Sequence, residues 1–349
     1  MEDQGQFKAI EDKGQRLVFT DHARKRLYSL DLVQFLNQNL ALLRNNNVDG
    51  LDLVAKPTEL DFVRRNIGSG WVPVVLSCNS FLMCRSDSGF HLINPVTKEW
   101  KKVPKTPLTK KPFSWELYGF GFDDSTNQYK VVEGKGCTDG FVFSVYASLT
   151  DSWRKIDCLY PYKQTRVCRK DGMVLNGGVH WLVKRDESLV IISFLLAEEE
   201  VKEIQVPPNC CTGVVELGIF RDRLCITLFS FSISETYNEF WVMKEYGVRG
   251  SWTKMEIGIP YHRLLHSGFW TETYDLMLVD ATMLAMCNFN DKSFWILSIR
   301  HGFGQVGGFG SMSVYVESRK PLIDQEQQEK SKPLIDQEQL ENSKDDGHP

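Results

Sequence analysis

Short apolar runs alternate with polar turns along most of the chain, and one pattern recurs about every fifty residues. Each copy reads as an apolar strand, a polar turn, a Trp or Ile beside a basic residue, and often a Pro exit. The copies are FHLINPVTKEWKKVP at 90–104, FSVYASLTDSWRKI at 143–156, VIISFLLAEEEVKEIQVP at 190–207 and EFWVMKEYGVRGSWTKMEI at 239–257. Their closing anchors Trp100, Trp153, Ile204 and Trp252 lie 53, 51 and 48 residues apart. A period of this length built from short strands predicts the blades of an all-β, kelch-like β-propeller. One such unit cannot bury its own apolar faces, so it must stack on neighbours around an axis.

Fainter copies at 26–32 (RLYSLDL) and 294–299 (FWILSI) extend the series. Strand centres at Tyr28, Leu92, Val145, Ile192, Trp241 and Trp295 then predict six blades. Even turn spacing also fits a β-sandwich, the competing architecture. Glycine alternates with aromatics at 118–123 (YGFGFD), which suits an inner strand where backbones approach closely. Residues 175–183 and 217–228 read as inner hairpins, the second turning at Arg221-Asp222-Arg223. Residues 34–50 are rich in Asn and Gln and read as an excursion between strands, with a turn or two of helix at 33–45. The expected organisation is a disordered N-terminus at 1–15, a propeller at 16–318 and a disordered tail at 319–349. That tail carries a tandem twelve-residue repeat, KPLIDQEQQEKS then KPLIDQEQLENS, with little to bury.

Composition changes this picture little. The chain has 349 residues, 42% hydrophobic and 25% charged, which is ordinary globular usage. The net charge of −4 resides in residues 320–349, and the balanced remainder gives no electrostatic footprint for nucleic acid. No apolar run is long enough to span a membrane, and residues 1–15 lack the apolar core of a secretory signal. The nine cysteines are odd in number and form no C-x-x-C pair. With Asn-x-Ser/Thr sites also absent, they read as buried thiols of a cytoplasmic or nuclear protein.

Catalytic patterns fare poorly. Gly302–Gly307 matches G-x-G-x-x-G, but it leads into strand-like sequence where dinucleotide binding needs a helix. His262 and His266 are spaced for one helix face but lack further zinc ligands nearby. His180 sits in an apolar strand and reads as a hydrogen-bonded core histidine. Glu198–Glu200 falls in the slot of a solvated turn, and Cys210-Cys211 as a strained disulfide fits a reducing compartment badly. No catalytic residue, metal site or cofactor is expected.

The segments between units are rich in aromatic and basic residues. They include Trp115; Tyr160, Tyr162 and Arg166; and Tyr261, His262 and Arg263. In a propeller, equivalent connectors emerge on one face, so these residues would converge as a partner-binding surface. The competing reading is solvated loops with aromatics tucked beneath them.

Taken in order, LINPVTKEWKKVP, YGFGFDDSTNQYKVV, VYASLTDSWRKI, LNGGVHWLV, IISFLLAEEEVKEIQVP and FWVMKEYGVRGSWTKM resemble the plant F-box-associated interaction domain. The likeness covers roughly 16–318. It implies a non-enzymatic propeller that captures a target protein for ubiquitination. In the family an upstream F-box docks on a Skp-type adaptor of an SCF ubiquitin ligase. Residues 1–15 are too short for an F-box, so adaptor and cullin binding are expected only where one is supplied. The chain would then be either a competitor that shields targets or part of a longer protein. The rival functions are a propeller enzyme with a polar central channel and a carbohydrate-binding module.

Overall fold

Period-two alternation gives every strand two faces, and both are apolar over much of the chain, so each sheet needs a neighbour on either side. The computed structural model meets that need with six four-stranded antiparallel blades around one axis. It describes residues 11–21, 23–43, 53–67, 72, 74–108, 115–164, 169–208, 214–229, 238–255, 264–272, 274–279, 283–290, 292–301, 304–305 and 309–321. The expectations for 1–10 and 322–349 lie outside these residues.

Blade 2 runs Val74–Cys78, Phe81–Ser86, Gly89–Ile93 and Trp100–Lys102; blade 3 runs Trp115–Asp123, Gln128–Gly136, Phe141–Ala147 and Ser152–Lys155. Blade 4 runs Met173–Leu175, Gly178–Arg185, Ser188–Leu195 and Glu200–Gln205; blade 5 runs Val214–Phe220, Arg223–Phe229, Asn238–Met243 and Trp252–Met255. Blade 6 runs Leu264–Trp270, Asp275–Val279, Met283–Asn288 and Ser293–His301, with Leu53–Ala55 added in parallel on its outer edge. Blade 1 joins the chain ends: Phe309–Val316 pairs with Gln15–Asp21, followed by Arg26–Leu30 and Thr58–Glu59. The first strand of each blade packs against the first strand of the next, and the circuit closes through blade 1.

The fifty-residue period marks the outer strands. Trp100, Trp153, Ile204 and Trp252 all lie in the fourth strand of their blades. Two of these tryptophans hook backwards: Trp153 Nε1 donates to the Pro104 carbonyl at 2.7 Å and Trp252 Nε1 to the Gln205 carbonyl at 2.9 Å. Each ties its blade to the exit of the preceding outer strand. In blade 4 the anchor Ile204 is buried on the opposite face, packed with Val215, Leu217 and Trp252 of blade 5.

Blade 3 shows how alternation is used. Tyr118 and Phe120 pack towards blade 2, while Leu117 and the intervening glycines face blade 4. A Cβ on Gly119 would lie 2.3 Å from Val179 Cγ1 and 3.2 Å from Trp181 Cζ2. The glycines thus make room for the large blade 4 side chains.

Three local expectations need correction. Trp295 lies in the fourth strand of blade 6, whereas the other five strand centres lie in third strands. The short helical expectation at 33–45 becomes a three-turn helix, Leu32–Leu43, capped by Asp31 Oδ1 accepting from the Gln34 N–H at 2.8 Å. Its Leu32, Val33 and Leu36 are buried against the blade 6–blade 1 core. A second helix, Asp61–Ile67, buries Phe62, Val63 and Ile67 over the blade 1–blade 2 seam. Glu199 is also not solvated: it accepts from Lys130 Nζ at 2.9 Å and pairs with Arg154.

Candidate interaction surface

Successive strands reverse direction, so the ring has two rims. Links between blades and second-to-third-strand turns share one, here the connector rim. First-to-second and third-to-fourth turns share the other, the turn rim.

On the connector rim Trp115 pairs with Gly136, Gly136 with Phe141 and Phe141 with Tyr160. Trp115 and Tyr160 therefore stand on one rung of blade 3, about 14 Å apart at three interstrand steps. Trp115 is 39% exposed and Leu159, beside Tyr160, is 48% exposed. The half-buried Tyr160 exchanges backbone hydrogen bonds with Phe141 at 2.8 and 2.9 Å, and its ring meets Phe143 edge-on at 5.6 Å. Tyr162 is only 7% exposed, with its ring in the blade 3–blade 4 seam. Its hydroxyl donates to Glu203 Oε2 at 3.3 Å, and burial followed by that carboxylate raises the phenol pKa. Lys163 then exchanges two 2.8 Å backbone hydrogen bonds with Lys184, so the connector straps blade 3 to blade 4. Arg166, Tyr261, His262 and Arg263 lie outside the described residues.

Sequence reasoning missed a set of buried charges towards this rim. Glu116 takes Arg85 from blade 2 and Lys135 at 2.8 Å; Lys135 also meets Glu133 at 2.8 Å. The Arg85 guanidinium lies 5.0 Å from the Tyr118 ring centre. Between blades 4 and 5, Arg169 and Asp171 line a narrow cleft with His180, Trp181 and Glu216. Burial pushes the Asp171 pKa up, but Arg169 outweighs it and holds the carboxyl below its usual range. Arg85 and Glu116 are 31 positions apart and sit in different repeats, so periodicity carries no signal of their pairing.

His180 is the expected core histidine. Nδ1–H donates to the Met173 carbonyl at 3.1 Å, and Nε2 accepts from the Tyr246 hydroxyl at 2.6 Å. Burial pushes its pKa down to about 4. The unfolded chain, with an ordinary histidine, then binds more protons between pH 6.5 and 4, so this contribution to stability falls as pH falls through that window. Urea unfolding is expected to show a loss of about 2 kcal/mol from His180 between pH 7 and pH 4.5. His180→Gln should flatten that part of the profile; an unchanged slope would refute the assignment.

Other motifs resolve structurally. Gly304–Gln305 pairs back onto Arg300 and His301, and a strand, not a helix, follows at Phe309–Val316. His266 lies in the strand Leu264–Trp270. Among the described residues no three His, Cys, Asp or Glu are grouped to hold a metal ion, and no helix is long and apolar enough to cross a membrane. Cys84, Cys225 and Cys287 are buried free thiols with pKa values raised by burial; Cys168, Cys210 and Cys211 lie outside the described residues.

Residues 22–306 match the family described as F-box associated beta propeller domain. Among curated relatives, F-box protein CPR1 of Arabidopsis thaliana is 25% identical over 265 residues, covering 67% of this chain and 62% of that protein. F-box protein At4g22390 of Arabidopsis thaliana is 23% identical over 263 residues, covering 68% and 63%. The chain thus spans about three-fifths of the length of these relatives. A solved structure of Kuenenia stuttgartiensis hydrazine synthase aligns over 83% of this chain and 81% of its own at 9% identity, with a TM-score of 0.41. That likeness is too slight to carry an argument. The six-bladed ring, closed through its own chain ends, and the match across most of its length make this chain a member of the F-box associated beta propeller domain family.

Proposed function

We propose that this propeller is the target-capturing part of an SCF-type ubiquitin ligase receptor and acts by binding protein, without catalysis of its own. The curated relatives are F-box proteins, which supports the assignment. The observation that carries it is the connector-rim rung: Trp115 stands exposed at one end of it, and Leu159 stands exposed next to Tyr160 at the other. Aromatic anchors on a fixed scaffold suit protein recognition. By sequence alone, Arg166, Tyr261, His262 and Arg263 are kept as further proposed contacts. A Skp-type adaptor and cullin join only through an F-box, and the setting is cytoplasm or nucleus.

Proximity labelling in plant cells, with wild type beside Trp115→Ala/Leu159→Ser, tests this reading. Both side chains are well exposed, so the variant is expected to keep the wild-type unfolding midpoint. Loss of a hot-spot pair should weaken target capture by about thirtyfold. An identical set of labelled proteins from wild type and a folded variant would sink the proposed surface.

A further inference from the structure

Trp100 differs from the other tryptophan anchors. Trp252 is 7% exposed and, like Trp153, hooks a carbonyl of the preceding blade. Trp100 is 42% exposed, and its indole N–H has no partner among the described residues. The cause lies in blade 1, whose fourth strand is the two-residue Thr58–Glu59 and supplies no exit for Trp100 to hook. Trp100 is in register with Ile93, which is buried in the blade 1–blade 2 seam, so the two side chains share the face turned to that seam.

The chain leaves the ring towards this place. Val316 ends the innermost strand of blade 1 at the turn rim, where its N–H donates to the Asn79 carbonyl at 2.9 Å. Residues 317–321 then run outward to blade 2, where Asn94 Nδ2 donates to the Ser318 carbonyl at 3.1 Å and the Lys320 carbonyl at 2.8 Å. Asn94 directly follows Ile93, the register partner of Trp100. At about 3.3 Å per extended residue, Leu322 and Ile323 are within reach of the indole.

We infer that the tail repeat caps Trp100, with Pro321-Leu322-Ile323 covering the exposed ring and a backbone carbonyl of the segment accepting its indole N–H. This gives Trp100 in cis what Pro104 and Gln205 give Trp153 and Trp252. Charge agrees: the exposed Lys98 and Lys102 flank Trp100, and the repeat continues with Asp324 and Glu326. The chain already covers one outer edge this way, where Leu53–Ala55 lies along blade 6. The second copy offers the same Lys-Pro-Leu-Ile at 332–335, so either copy serves. This role is independent of target capture on the connector rim.

Hydrogen exchange on the full chain tests the cap. Replacing Leu322, Ile323, Leu334 and Ile335 together by Ser is expected to speed amide exchange at 98–102 about tenfold, with blade 4 unchanged. Trp100→Ala should release the protection of 321–324. A second variant, Leu322→Ser/Ile323→Ser alone, should leave 98–102 protected through the second copy. Unchanged exchange at 98–102 in the fourfold variant would overturn the inference. So would protection that rises with protein concentration alongside a dimer in light scattering, because the occupant would then be a second copy.

Discussion

Replacing Trp181 by alanine is expected to destabilise the ring by about 4 kcal/mol, in the middle of the range of aromatic-to-alanine losses in cores. Trp181 is fully buried between blades 3 and 4. Two glycines shape its slot: a Cβ on Gly172 would come within 2.5 Å of its Cε2, and one on Gly119 within 3.2 Å of its Cζ2. Its Nε1–H donates to the carbonyls of Lys170 at 3.1 Å and Tyr118 at 3.3 Å, so truncation removes packing and strips a donor from buried acceptors. For a ring of this size the thermal midpoint should fall by about 6 °C. Trp181→Phe keeps most of the apolar area and should cost about half as much. A loss below about 1 kcal/mol for the alanine variant in denaturant unfolding would show that blades 3 and 4 do not depend on this contact.

Lys130→Met is expected to cost about 3–5 kcal/mol, the range for breaking a buried pair from one side. Lys130 is buried, and its Nζ meets Leu196 O at 2.6 Å, Asp123 Oδ2 at 2.7 Å and Glu199 Oε1 at 2.9 Å. Asp123 is fully buried, which alone would raise its pKa; Lys130, Ser125 and Thr126 outweigh that and hold the carboxyl well below the usual range. A depressed carboxyl adds stability above its unfolded pKa near 4, and that stability fades as pH falls towards the folded value. The penalty of Lys130→Met should therefore shrink in acid. Adding Asp123→Asn at neutral pH should recover at least about 1 kcal/mol, a coupling visible in a double-mutant cycle. Strictly additive losses would mean that Asp123 and Lys130 do not act as one unit within blade 3.

The repeat was legible because outer strands share one pattern, a Trp or Ile among basic residues, with Trp100, Trp153 and Trp252 turned to the preceding blade and Ile204 to the following one. Blade 6 breaks the pattern for a physical reason. Its fourth strand lies beside Leu53–Ala55, with Leu297 and Ile299 buried in the core that also takes helix Leu32–Leu43. It therefore carries an apolar run, and Trp295 resembled a third strand. The helix itself was underread because Asn and Gln hid a short apolar stripe, although Asp31 with Gln34 offered a start signal. Trp115, expected in a connector, opens the first strand of blade 3 and stays at the rim, and composition does not separate it from Tyr162, turned into the seam. Glu199 looked like its solvated counterparts because its partners, Lys130 and Arg154, come from another blade. Local pattern carries no information about such pairs.

The joining of Gln15–Asp21 to Phe309–Val316 also sets the order in which the molecule can be made. Bringing together ends separated by about 300 residues costs roughly 5 kcal/mol of chain entropy until the remaining blades hold them near each other. On a ribosome adding about ten residues per second, the N-terminal strand waits around half a minute for its partner. Throughout that interval Leu17, Val18 and Phe19, fully buried in the finished ring, line an unpaired strand edge. Nascent chains would need a chaperone most at this edge, and the demand ends only when the last strand emerges.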